Sequence, residues 1–258
     1  MRKILVLVLL MGVCGTAPAQ QSDAALLQRT RALYDAPFTR NLVSFDCEVQ
    51  FDWKQHLIDQ LGSVPDAVEP TVDLMAAVHH TVSMDRSGAR VSEAPNGPDL
   101  EEIPLGAQFE QAFRMVISGG LNEWLPFGYG EILPEGATEY SFQKTDAGYT
   151  VVLKGKGIAS TLYLDPNLKM VRGESELPQP LRFTTEFADG PQGYLLRSMT
   201  TAAPDSKAAH IPTFDYTWQS VNGVEIPSQV TVTTGIGEVW KYQLTGCAVQ
   251  VQAKPPAK

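Results

Sequence analysis

Cys47 and Cys247, the four histidines and one dense aromatic run are the residues whose types and spacing could do chemistry in this 258-residue chain. In oxidising surroundings the two cysteines form a disulfide by default, tying the first strand to the last. Spacing alone does not bring their Cα atoms together, so two separate buried thiols stay open as the other reading. His56, His79, His80 and His210 carry no H-E-x-x-H pattern. Adjacent side chains such as His79 and His80 diverge in a strand or a helix and do not clamp one ion, so no metal site is expected.

Covalent catalysis has no foothold. There is no G-x-S-x-G, and the one S-x-x-K, Ser141 to Lys144, falls in a strand whose alternation sends the two side chains to opposite faces. Carboxylates are explained locally: Glu101 and Glu102 sit near the start of a long helix, and Asp85, Asp146, Asp165 and Asp189 sit in turns. No glycine-rich phosphate loop is present, so no nucleotide cofactor is expected. No catalytic residue is therefore assigned, although acid and base groups that meet only in three dimensions are invisible at this level.

The aromatic run is Trp124-Leu125-Pro126-Phe127-Gly128-Tyr129-Gly130, and its glycines and proline read as a loop. These rings either plug one end of the core or form the lip of an apolar pocket, together with Phe109 and Phe113 before them and Trp218 and Trp240 on late strands. The pocket reading makes Phe109, Phe113, Trp124, Phe127, Tyr129, Trp218 and Trp240 the candidate ligand-binding residues.

The elements that must position these groups follow from periodicity. Val43 to Trp53 alternates without a fault, as a long strand with one wet face. Ser22 to Tyr34 and Lys54 to Leu61 read as helices, the second closed by Gly62. Pro65 and Pro70 leave 63–77 ambiguous. A hairpin spans Val78 to Ser92, turning on Asp85-Arg86-Ser87-Gly88. Leu105, Phe109, Ala112, Phe113, Val116, Ile117, Leu121 and Trp124 recur every three or four residues, the clearest amphipathic helix in the chain, with Gly119-Gly120 placed to fray or bend its end.

From Glu139 onward, turns at Asp146-Ala147-Gly148, Asp165-Pro166-Asn167, Asp189-Gly190-Pro191 and Asn222-Gly223 separate short apolar runs, a meander of hairpins. On the last strand Trp240, Tyr242 and Leu244 share one parity and Cys247 has the other, so the disulfide requires a bulge, for which Gly246 is suited. The expected fold is α+β and strand-dominated: an incomplete antiparallel barrel of about eleven strands, with helices covering its concave side.

The N-terminus sets the expected compartment. Arg2 and Lys3 precede an apolar run from Ile4 to Val13, and Ala17-Pro18-Ala19 offers small residues for signal peptidase, so 1–19 reads as an export signal. A lipidated Cys14 is the alternative, with Val13 in the place where such signals carry a small residue. Residues 20–251 then form a single domain and 252–258, with Pro255-Pro256, a frayed tail. Loss of Arg2 and Lys3 makes the formal charge of −9 more negative still, which disfavours nucleic acid and acidic membrane surfaces as partners. No mature stretch approaches the ~20 apolar residues of a membrane helix.

An exported chain with an N-terminal helix, a long first strand, a covering helix and a meander containing Leu164-Asp165-Pro166-Asn167 and Val221-Asn222-Gly223-Val224-Glu225-Ile226-Pro227 resembles the LolA/LolB-like superfamily of periplasmic lipoprotein carriers. The resemblance implies an unclosed barrel with a helical lid and a hydrophobic cavity for lipid chains. It transfers no residue role.

The expectation is thus a periplasmic or secreted, non-enzymatic binding or carrier protein for an apolar ligand such as a lipid or lipoprotein acyl chain, without a cofactor. An envelope protein–protein interaction module with a packed interior is the alternative, and a hydrolase the second alternative.

Overall fold

The computed structural model describes residues 23–63, 69–93, 106–130, 133, 137–155, 157–177, 180–203 and 211–252. The expected export signal, Cys14, Glu101, Glu102, Leu105 and His210 lie outside them, as does the tail after Gln252.

Helix α1 (Asp23–Arg31) and the short α2 (Pro37–Arg40) precede strand β1 (Leu42–Phe51). The strand ends two residues earlier than its alternation suggested, because Asp52 caps helix α3 (Trp53–Leu61): its side chain accepts a hydrogen bond from the Gln55 amide at 2.8 Å. Trp53 therefore opens a helix instead of ending a strand. Gly62 closes α3 in the left-handed conformation, as expected. The ambiguous stretch contains helix α4 (Glu69–Ala76), with Pro70 in its first turn, where the missing amide costs nothing. Helix α1 stops at Arg31, short of Tyr34, which instead bridges Tyr194.

Strands β2 (His80–Asp85) and β3 (Gly88–Glu93) form the expected hairpin. Helix α5 (Gly106–Gly128) follows, then nine strands: β4 (Ala137–Thr145), β5 (Gly148–Gly155), β6 (Ile158–Leu164), β7 (Met170–Leu177), β8 (Leu181–Gly190), β9 (Gly193–Ala202), β10 (Thr213–Val221), β11 (Val224–Thr233) and β12 (Val239–Val251). All twelve described strands, one more than expected, belong to one antiparallel sheet in the order β3-β2-β1-β12-β11-β10-β9-β8-β7-β6-β5-β4. The chain's last strand is seated beside its first. Strands β3 and β4 remain as edges, so the barrel is incomplete.

Curvature comes from register shifts at seven places in the ladders. Each inserts an unopposed residue, bends its strand and increases the local twist. One is the bulge expected at Gly246: Asp46 faces Ala248 and Glu48 faces Thr245, leaving Cys47 opposite both Gly246 and Cys247. Gly246 has φ +57°, and the inward parity of Trp240, Tyr242 and Leu244 switches to Cys247 and Val249. Cys47 and Cys247 are disulfide-bonded, their Cα atoms 4.1 Å apart.

Helix α5 lies on the concave face. Phe113, Ile117 and Leu121 are fully buried and Trp124 nearly so. The helix does not fray at its two glycines but continues to Gly128. Gly120 is where the helix touches the sheet: a Cβ there would lie 2.8 Å from the Tyr242 hydroxyl and 3.1–3.2 Å from Val230 and Val232. Tyr216 donates to the Gly120 carbonyl at 2.8 Å and Tyr242 to the Ile117 carbonyl at 3.1 Å. Burial pushes both phenols far above their ordinary pKa, so they stay neutral donors.

The helix also runs through the segment expected to be a loop, ending at Gly128 with Pro126 inside it. Proline costs a helix one hydrogen bond. Here that cost falls in the last turn, where burial of Trp124, Phe127 and Gly128 holds the helical path, and the Tyr129 amide still reaches the Leu125 carbonyl at 3.0 Å.

Candidate functional site

Helix α5 carries four of the expected aromatic residues, Phe109, Phe113, Trp124 and Phe127, to two places instead of one, where Trp240 of β12 joins the first pair and Trp218 of β10, with Tyr129, the second. Near its N-terminal half, Phe113 lies 6.4 Å from Trp240 and 5.1 Å from Trp53, while Phe109 lies 6.2 Å from Trp53. Burial pushes the His56 imidazole below its ordinary pKa, so a neutral ring packs on Trp240 at 4.3 Å. Near its C-terminal end, Trp124 lies 6.0 Å from Trp218 and 5.9 Å from Phe38, whose ring stacks on Tyr129 at 4.2 Å; Phe127 meets Phe187 at 5.9 Å. Eleven residues of helix, about 16 Å at 1.5 Å per residue, separate Phe113 from Trp124. Phe113, Trp124, Phe127 and Trp240 are core residues, and Phe109, Tyr129 and Trp218 are half-buried against the core.

A second constellation was not expected. His80 on β2 and Glu110 on α5, both buried, meet at 2.6 Å between Nε2 and Oε2. The other Glu110 oxygen accepts from Arg114 Nε, and Arg114 also bonds Glu93 and, at 3.2 Å, the Val91 carbonyl on β3. Burial pushes the Glu110 carboxyl up, but the hydrogen bonds from His80 and Arg114 outweigh it and leave its pKa below the ordinary value. His79, its neighbour, is exposed, so the two rings diverge as strand geometry demands. The network clamps the start of α5 to the β2–β3 hairpin. It sits in packed core with Phe113 against the His80 ring at 5.0 Å. Among the described residues no group of three or more His, Cys, Asp or Glu could hold a metal ion.

A cavity of about 380 Å³ opens elsewhere, at one rim of the sheet. It is lined by residues 152–154 of β5, 159–161 of β6, 174–176 of β7 and 180–182 at the start of β8. Leu153, Ser160, Ser175 and Leu181 are cross-strand neighbours in one row. Fully buried Leu153 and Val151, two residues apart, mark that row as the concave face. Val152, Thr161, Glu174 and Arg182 form the adjacent row on the opposite face. The cavity therefore straddles the rim, with Leu153, Leu181 and the two serines inward and the charges among the outward residues. Two residues further along the concave face, Phe183 covers Gly173, where any Cβ would lie 2.1 Å from the ring.

None of the seven aromatic candidates lines this cavity. The sequence signal that could have found it is weak: Lys154, Glu174, Glu176 and Arg182 are charges near strand ends, which ordinarily means a solvated face.

No family model matches the chain, and no curated protein matches it. Among solved structures the chain is similar to a domain from Vibrio parahaemolyticus described as an outer membrane lipoprotein-sorting protein domain, at 10% sequence identity over 88% of this chain and 92% of that one, with a TM-score of 0.24.

Proposed function

We propose that this protein is an exported, periplasmic or secreted binding protein that carries an amphiphile with an apolar, acyl-like chain. The observation that carries this reading is the rim cavity on an unclosed sheet: about 380 Å³, within the range of small-molecule sites, with Leu153 and Leu181 toward the concave side and charges toward solvent. An intramolecular disulfide between the first and last strands supports export. Among the described residues no helix is long and apolar enough to cross a membrane.

On this reading the helices are the fixed lining of the interior and the rim is the point of entry. Phe109, Tyr129 and Trp218, the half-buried members of the aromatic set, are the ones a chain could reach by small side-chain movements; the fully packed ones support the walls. At ~0.8 kcal/mol per buried CH₂, a short chain suffices for useful affinity. Titration with an environment-sensitive hydrophobic dye tests this. The dye should brighten with the native protein and brighten less with Ser160→Phe, which fills the rim. Equal brightening by both proteins contradicts rim entry, and no brightening contradicts the carrier reading.

Packed interiors favour a second reading. Phe113, Ile117 and Leu121 have no exposure, and an interaction module would use the same sheet as a rigid frame for a protein partner in the envelope. The dye titration separates the two.

A further inference from the structure

Resting on the carrier reading, we infer that the rim cavity recognises a zwitterionic headgroup, one that bears an ammonium and a phosphate. Four ionisable side chains line it, Lys154 and Arg182 against Glu174 and Glu176. Glu174 and Arg182 are directly opposed on neighbouring strands, a position from which opposite charges ordinarily close into a pair. Among the described residues neither they nor Lys154 and Glu176 form an ion pair or hydrogen bond through their charged ends. Charges of both signs are thus held around one cavity without neutralising each other.

A bulge places one of these charges. Ala159 faces Leu177 and Ser160 faces Ser175, so Glu176 is the unopposed residue of a bulge in β7. A bulge re-aims its side chain out of the regular alternation. The four side chains sum to no net charge, with both acids on β7 and the cations on β5 and β8 to either side of it, which disfavours a simple anion or a simple cation and fits a ligand carrying both. Ser160 and Ser175, their hydroxyls 3.5 Å apart on the concave side, mark the passage from headgroup to chain, which continues past Leu153.

Binding of lysophosphatidylethanolamine below its micellar concentration tests this, measured at low salt beside lysophosphatidylglycerol of the same chain length and the uncharged dodecyl maltoside. The zwitterion should bind at least about tenfold tighter than the maltoside, because only its headgroup can make charge-assisted hydrogen bonds to acids and cations together. The double variant Glu174→Gln, Glu176→Gln should weaken the zwitterion and gain affinity for the phosphatidylglycerol, a reversal that general unfolding does not produce. Lys154→Ala with Arg182→Ala should weaken both phospholipids and leave the maltoside unchanged. O-phosphoethanolamine without a chain separates the sources: affinity equal to that of the lysolipid assigns the site to a free zwitterion. If the lysolipid and the maltoside bind equally, the headgroup inference is overturned and the carrier reading stands. If no amphiphile binds, both fall.

Discussion

Cys47 of β1 faces both Gly246 and Cys247 of β12, and the bulge formed by that two-against-one register is what turns Cys247 inward to its partner. Gly246 adopts φ +57°, and a Cβ there would meet nothing closer than 3.6 Å, so the demand for glycine is conformational. Gly246→Ala should cost about 1–2 kcal/mol in urea unfolding. A cost of zero would show that the bulge is not maintained.

The disulfide closes a sequence separation of 200 residues. In the chain-entropy model such a loop contributes at most about 5 kcal/mol. Cys47→Ser with Cys247→Ser should therefore lower the urea midpoint strongly, and adding reductant to the native protein should reproduce the loss. A midpoint insensitive to both would mean that strands β1 and β12 hold each other without the bond.

Helix α5 is seated by Gly120. Replacing it with valine puts a methyl-bearing carbon where Tyr242, Val230 and Val232 already stand. Overpacking of this kind costs about 1–3 kcal/mol. Gly119→Ala is the control, because a Cβ there meets nothing within 4 Å. Gly119→Ala should leave stability unchanged or raise it by up to about 1 kcal/mol. Thermal unfolding of the two variants checks the contrast.

Acid should weaken the clamp at the start of α5. The folded-state pKa of Glu110 lies below its ordinary value of 4.5 because the hydrogen bonds of His80 and Arg114 outweigh burial. A depressed carboxyl pKa stabilises the fold fully above the unfolded value, and that contribution disappears as pH falls through the folded value. Urea midpoints followed downward from pH 7 should fall below about pH 4.5, and Glu110→Gln should flatten that part of the profile while costing about 1–3 kcal/mol at neutral pH. An unchanged profile in Glu110→Gln would assign the acid sensitivity to other carboxylates.

Much of the fold can be read from the sequence because its signals are local. Asp85 to Gly88, Asp146 to Gly148, Asp165 to Asn167 and Asn222-Gly223 all fall at hairpins, and the alternation of Phe45, Cys47, Val49 and Phe51 gives β1 its inner face, while Val43, expected on that face, is exposed because a register shift between Leu42 and Ser44 buries Leu42 instead. The Gly246 bulge followed from parity once the two cysteines were paired. What local pattern does not carry is register between strands and the depth of a helix against a sheet. Pro126 and Gly128 look like loop residues until Trp124 and Phe127 beside them are buried. The seven aromatic candidates look like one site because a sequence does not reveal that Phe109 and Phe113 meet Trp240 at one end of α5 while Trp124 and Phe127 sit with Tyr129 and Trp218 at the other. The rim cavity depends on the Glu176 bulge and on four strands meeting in register, none of which leaves a periodic trace.

The carrier account is tested most directly by native mass spectrometry of the protein released gently from its own compartment, with solvent extraction of whatever is bound. It predicts adducts with the masses of amphiphiles, depleted in Ser160→Phe. A single species at the mass of the bare polypeptide, from a protein that also takes up no added lysolipid, would contradict it.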